Sequence, residues 1–154
     1  MGKYNQAKGQ ASFEYLLIIA LTFAIIVPTT YLFYNYSKES SQEITDAQVA
    51  KLGNEIVDTA ESIFYSGQNS KTVLDINVPE KVESVVIIDG RELVIKVSSS
   101  FGVSEIVFFS SVNLTTIGAN CEGVVCRIVG LERPGLEKVK IEAINQYSVD
   151  IEII

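Results

Sequence analysis

From Tyr15 to Phe33 the chain carries no charged side chain, and the run reads Tyr-Leu-Leu-Ile-Ile-Ala-Leu-Thr-Phe-Ala-Ile-Ile-Val-Pro-Thr-Thr-Tyr-Leu-Phe. A helix needs about 20 largely apolar residues to cross the hydrocarbon core of a bilayer, and this segment has that length. Lys3 and Lys8 precede the run, whereas the far side opens with Ser37-Lys38-Glu39-Ser40-Ser41-Gln42-Glu43, of mixed charge. The excess of positive charge on the N-terminal side predicts that the N-terminus stays in the cytoplasm and that the rest of the chain is exported. A secretory signal is cut after its apolar segment. Here the candidate processing site, Gly9-Gln10, stands in front of it. A cut between these residues removes a short basic leader and leaves the apolar helix on the mature protein as a working part.

The residues around that site form the string Lys8-Gly9-Gln10-Ala11-Ser12-Phe13-Glu14-Tyr15. Lys-Gly-Gln-x-Ser-x-Glu-Tyr ahead of an apolar helix resembles the class III signal peptide of archaeal type IV pilin-like proteins. The resemblance rests on Lys8, Gly9, Gln10, Ser12, Glu14 and Tyr15, and it covers only the N-terminal part of the chain. It implies cleavage between Gly9 and Gln10 by a membrane aspartic peptidase of the prepilin type, with Lys8, Ser12, Glu14 and Tyr15 as recognition residues. It also implies that mature subunits pack their N-terminal helices into a homo-oligomeric surface filament, built by an assembly ATPase and a membrane platform protein. Before assembly such a subunit sits in the cytoplasmic membrane.

Glu14 is the one charge between Lys8 and Lys38, at the mouth of the apolar run. A bare carboxylate in lipid costs several kcal/mol unless it is paired. In the plainer reading it is a first-turn acid that complements the helix dipole. The resemblance adds a second role. Glu14 is the fifth residue from Gln10, where the pilin acid neutralises the N-terminal amine of a neighbouring subunit and sets the axial register. At the other end of the run, Tyr31, Phe33, Tyr34 and Tyr36 suit either a membrane interface or packing between helices.

Beyond Ser41 the pattern stays helical to about Tyr65. Ile44, Ala47, Val49, Leu52, Ile56, Ala60, Ile63 and Phe64 recur at steps of three and four, with Glu43, Asp46, Lys51, Glu55, Asp58 and Glu61 on other faces. Ser66-Gly67 marks the stop. Pro28 removes one rung of the helical ladder and is expected to bend the helix or open its backbone. After Thr72 the period changes to alternation. Asp89-Gly90 between Val85–Ile88 and Leu93–Val97 signals a tight hairpin. Further strands are expected at 103–109, 114–118, 124–129, 137–144 and 147–153. In the strand at 137–144, Val139, Ile141 and Ala143 alternate with Lys138, Lys140 and Glu142, which predicts one wet face. The fold class is therefore α+β, a long N-terminal helix packed on a C-terminal antiparallel β domain. The expected organisation is a leader at 1–9, an apolar transmembrane or filament-core helix at 10–36, an amphipathic continuation at 37–67 and a β-rich extracellular head at 68–154.

The formal net charge is −7 and there is no histidine. Cutting after Gly9 removes Lys3 and Lys8 and no acid, so the mature chain is more acidic still. That balance argues against nucleic acid as a partner, because such binding needs cationic groups to displace counterions. The lack of histidine takes away the commonest general base and transition-metal ligand. Asp75, Asp89, Glu122 and Asp150 are scattered carboxylates that no motif gathers. The expectation is a chain without catalytic residues, metal or cofactor.

Cys121 and Cys126 enclose Glu122-Gly123-Val124-Val125. In an exported domain two cysteines predict a disulfide, with paired free thiols as the alternative. Asn113-Leu114-Thr115 and Asn35-Tyr36-Ser37 match the N-glycosylation acceptor pattern. Asn113 is the better placed, since Asn35 stands close to the apolar run. Three readings follow. The first is an adhesive pilin, the second a membrane-anchored surface domain that binds a ligand and never polymerises. The third is an archaellin-like motility subunit, which is disfavoured because archaellins lack Gln-x-Ser-x-Glu-Tyr after the cut.

Overall fold

The computed structural model describes residues 6–99, 102–117 and 120–154, with the side chains of 6–12 and 120 outside the description. A single helix, α1, runs Gln6–Ser66 and contains Pro28. The chain forms two compact units that divide at Gln42/Glu43, somewhat beyond the boundary expected at 36/37. The first unit is the apolar part of α1. The second contains the end of α1 and all the strands.

In the second unit the helix is amphipathic, and Val49, Leu52, Ile56, Val57 and Ala60 are buried. Ile63 and Phe64 pack against the same core. Ile44 and Ala47, expected on this face, are exposed, and the buried face starts instead at Thr45 and Val49. Periodicity identifies a stripe but not the turn at which a helix meets its domain. The helix ends as expected: Gly67 adopts a left-handed φ of 105°, and its N–H reaches the carbonyl of Phe64. No side chain stands in the way of that conformation at a glycine.

The strands form two sheets among the described residues. One has the order β1(Lys71–Val78)-β8(Gly135–Ala143)-β9(Ser148–Ile153)-β5(Asn113–Thr115). The other has the order β4(Gly102–Phe109)-β3(Glu92–Ser99)-β2(Val82–Ile88)-β7(Val125–Arg127)-β6(Asn120–Glu122). The expected hairpin is β2–β3, and both Asp89 (φ 51°) and Gly90 (φ 67°) take the positive φ that a two-residue turn requires. Val139, Ile141 and Ala143 are buried while Lys138 is exposed, the one-sided pattern expected of β8.

Three features differ from the sequence expectation. β5 is shorter than 114–118 and pairs in parallel with β9, so the domain is not purely antiparallel. The strand expected at 124–129 shrinks to β7. Its partner β6, Asn120–Glu122, has no counterpart among the expected strands.

Both sheets and α1 share one core. Ile76, Val139, Ile141, Val149, Ile151 and Leu114 come from the first sheet; Val85, Ile87, Leu93, Ile95, Val97 and Phe108 come from the second. Gly53 on α1 lets the Phe108 ring lie directly against the helix backbone, and a Cβ there overlaps the ring. Glu61 ties the same helix to the β4–β5 turn, accepting bonds from the N–H and the hydroxyl of Ser111, each 2.8 Å.

In an open helix position, Gly to Ala stabilises by about 1 kcal/mol. At Gly53 the sign should reverse. Gly53→Ala is expected to lower the thermal midpoint of the β domain, and Gly53→Leu to lower it further, by an overpacking cost of about 1–3 kcal/mol. Circular dichroism melts of the three chains in detergent check this order.

Candidate functional site

The first unit presents a helix whose large apolar side chains have no cover from the protein. Phe13, Leu16, Leu17, Ile18, Leu21, Phe23, Ile25, Ile26 and Val27 are each more than half exposed. α1 is long and apolar enough to cross a membrane, and no residue of its apolar window is buried. Contiguous exposed apolar surface of this extent marks a site that lipid or other protein covers.

Polar groups in this segment are satisfied locally. The hydroxyls of Thr22, Thr29 and Thr30 donate to the carbonyls of Ile18, Ile25 and Ile26 at 2.8, 2.7 and 2.8 Å. Such bonds keep threonine compatible with an apolar surrounding. Pro28 has no N–H to give the Ala24 carbonyl, yet the helix continues through it. The sequence reading passed over the threonines; their four-residue reach inside an apolar run was the available signal.

Glu14 and Tyr15 are exposed at the entrance to the run. The backbone of Lys8, Gly9, Gln10 and Ser12 lies within α1, and the side chains of these four expected processing residues lie outside the described residues. At the far end Tyr31, Phe33, Tyr34 and Tyr36 are all exposed. Lys38 places its Nζ 4.6 Å from the centre of the Tyr34 ring, a cation–π contact at four-residue spacing that closes the apolar run with a charge.

In the second unit Cys121 and Cys126 are bonded, and they are also directly opposed partners across the β6–β7 hairpin. Gly123 supplies a left-handed φ of 65° at the hairpin turn. The expected bridge thus closes the end of an edge hairpin. Of the two acceptor sequences, Asn35 lies exposed on α1 between Tyr34 and Tyr36. Asn113 is exposed on β5, Leu114 beside it is buried in the core, and the Thr115 hydroxyl donates to the carbonyl of Val149 at 3.2 Å.

The scattered carboxylates lie on different elements. Asp75 pairs with Lys138 at 3.8 Å, Asp89 forms the β2–β3 turn and Glu122 ends β6. Asp150 is the exception in being buried. Its Oδ1 accepts the Ile117 N–H at 2.7 Å, which clasps the chain between β5 and β6 to β9. Burial pushes its pKa up; the Ile117 bond opposes this, the charge of Glu152 adds to it, Lys140 opposes it and Glu142 adds to it. Lys140 itself pairs with Glu152 at 2.9 Å and Glu142 at 3.3 Å. Among the described residues no group of three or more His, Cys, Asp or Glu side chains is placed to hold a metal ion. The surface that the described residues leave uncovered is the apolar helix with its charged entrance.

Compared with known protein families, curated proteins and solved structures, the chain matches none.

A raised folded-state pKa means that the stability from Asp150 is fully present below its unfolded value, near 4, and is lost as pH rises through the folded value. Asp150→Asn keeps an oxygen for the Ile117 N–H and removes the buried charge. The stability of the parent chain relative to the Asn variant should therefore fall as pH rises from about 4 to neutrality. Denaturant unfolding of both chains across that range measures the difference.

Proposed function

We propose that this chain is a pilin-like structural subunit of an adhesive surface filament. In this reading it is processed at Gly9-Gln10 and assembled through its N-terminal helix. One observation carries the reading: a six-position processing motif, Lys8 to Tyr15, stands directly before a charge-free helix with no cover of its own. A motif of that composition elsewhere in a chain means little. Ahead of this helix it accounts for why a candidate cut precedes the apolar segment, and why the one acid sits where it does. A non-polymerising membrane anchor needs the helix but gives no role to Gly9-Gln10 or Glu14.

The physical sequence of events follows from the surroundings of the helix. Before assembly, lipid covers the apolar side chains. After assembly, the helices of neighbouring subunits cover them. Both surroundings are apolar, so the exchange is close to neutral in hydrophobic terms, and packing with polar pairing decides the outcome. Glu14 supplies the polar pairing, with the amine of Gln10 on a neighbour as its partner. The cationic Lys38 and the ring band at Tyr31–Tyr36 hold the other end at the membrane surface. The disulfide-closed β domain then forms the outer surface. Asn113, on that domain, is the glycan acceptor in preference to Asn35, which lies within the ring band.

Glu14→Gln keeps the size of the side chain and removes its charge. The apolar run is untouched, so insertion should be normal, and because Glu14 is also an expected recognition residue the cut at Gly9-Gln10 is verified by the mass of the membrane-resident chain before filaments are scored. Electron microscopy of the cells should show few or no filaments, because a pair in a low-dielectric core is worth more than the ~0–1 kcal/mol of an exposed one. Filaments of ordinary number and length would reject Glu14 as the assembly partner.

A further inference from the structure

We propose that β4 is a docking edge for a second copy of this chain, and that two β4 strands pair antiparallel with Ile106 at the centre. β4 is the last strand of its sheet and bonds to β3 along its whole length in unbroken register, from Glu92↔Phe109 to Ser99↔Gly102. No described strand lies on its outer side. Proteins normally blunt such an edge with lysine, proline, a bulge or a very short strand. β4 has none of these: it reads Gly-Val-Ser-Glu-Ile-Val-Phe-Phe. The other edges are treated differently. β5 and β6 are three residues each, β6 is crosslinked to its neighbour, and β1 carries a lysine of its own, Lys71.

The face of β4 turned away from the core holds Val103, Glu105, Val107 and Phe109. The three apolar members are 55, 40 and 74% exposed. The one charge among them is already neutralised, since Lys96 holds Glu105 at 2.7 Å. Register also aligns Val107, Val94 and Val86 in one row across three strands, on the outer face. Val94 and Val86 are already buried, so the exposed apolar side chains on this face are those of β4 itself.

The occupant follows from the strand's own sequence. Antiparallel partners face each other on the same side of a sheet, so a twofold pairing must centre on a residue and not between two. Centring on Glu105 sets two carboxylates directly opposite each other, which is destabilising. Centring on Val107 puts Glu105 against Phe109 and leaves Val103 beyond the partner strand. Centring on Ile106 uses 103–109 completely. It sets Val103 against Phe109 twice, covering the most exposed ring on the strand, and Glu105 against Val107 while Lys96 still holds the carboxylate. A second copy therefore satisfies both the open backbone edge and the apolar side chains. A twofold contact cannot be the repeating contact of a polar filament, so this edge is independent of the helix-mediated assembly proposed above.

Single cysteines in the full-length chain, in native membranes under mild oxidation, test the register. Cys121 and Cys126 are already paired, so the added thiol is the reactive one. In Ile106→Cys the two thiols face each other across strands whose paired Cα atoms lie about 4.5–5.5 Å apart, and a disulfide-linked dimer is expected. In Val103→Cys the thiols are six positions out of register, about 20 Å apart, and the chain should stay monomeric although this site is the more exposed. Adding Val107→Glu to Ile106→Cys sets a second carboxylate directly opposite the partner's Glu105, on both sides of the centre, and should abolish the dimer. A monomeric Ile106→Cys, equal crosslinking at both sites, or a dimer insensitive to Val107→Glu overturns the proposal. Should Ile106→Cys disturb folding, a mixture of Glu105→Cys and Val107→Cys chains takes its place: a mixed dimer supports the pairing and its absence refutes it.

Discussion

Among the described residues nothing covers the charge-free surface of the N-terminal helix, and the surroundings this segment requires follow from that fact. Water cannot be its resting environment, because side chains such as Phe23, Ile25 and Ile26 are more than half exposed along a continuous run. The segment therefore has to be covered by lipid, by other helices, or by each in turn. Helical structure is imposed by the same condition, since a spanning segment must satisfy its own backbone groups. The threonine hydroxyls that fold back on Ile18, Ile25 and Ile26 extend that rule to side chains.

The second unit solves the opposite problem. It buries its apolar side chains against one another, with α1 contributing Val49, Leu52, Ile56 and Ala60 to a core shared by two sheets. One helix thus serves two surroundings, and the sequence changes character between them: charged residues are absent from 15–33 and recur from Lys38 onward. The proposed filament role uses this division directly. In that proposed role the apolar part would be exchanged between lipid and neighbouring helices, while the folded part keeps its structure.

Much of this was legible in the residues because it depends on local rules. Hydropathy marks the apolar run, Asp89-Gly90 marks its hairpin, and alternation at Val139, Ile141 and Ala143 marks the buried face of β8. Two cysteines in a domain read as exported predict their bridge, and the structure has it. What escaped depends on partners distant in sequence. The parallel pairing of β5 with β9 joins Leu114 to Val149, and no local pattern announces a neighbour so far along the chain. The strand at Asn120 is three residues long, too short for an alternating period to show. Ile44 and Ala47 follow the helical period yet are exposed, because periodicity does not say where contact begins. Asp150 reads as one more surface acid until the chain at Ile117 is seen folded over it. At the candidate site the order of residues from Lys8 to Tyr15 carries the functional reading, and the exposure of the helix behind it supplies the physical reason for it.

The most direct test of the account is mass spectrometry of the N-terminal peptide from native surface material. The account predicts a mature chain that begins at Gln10 and keeps residues 15–33. An intact N-terminus at Met1, or a cut after residue 33 that discards the apolar helix, contradicts it.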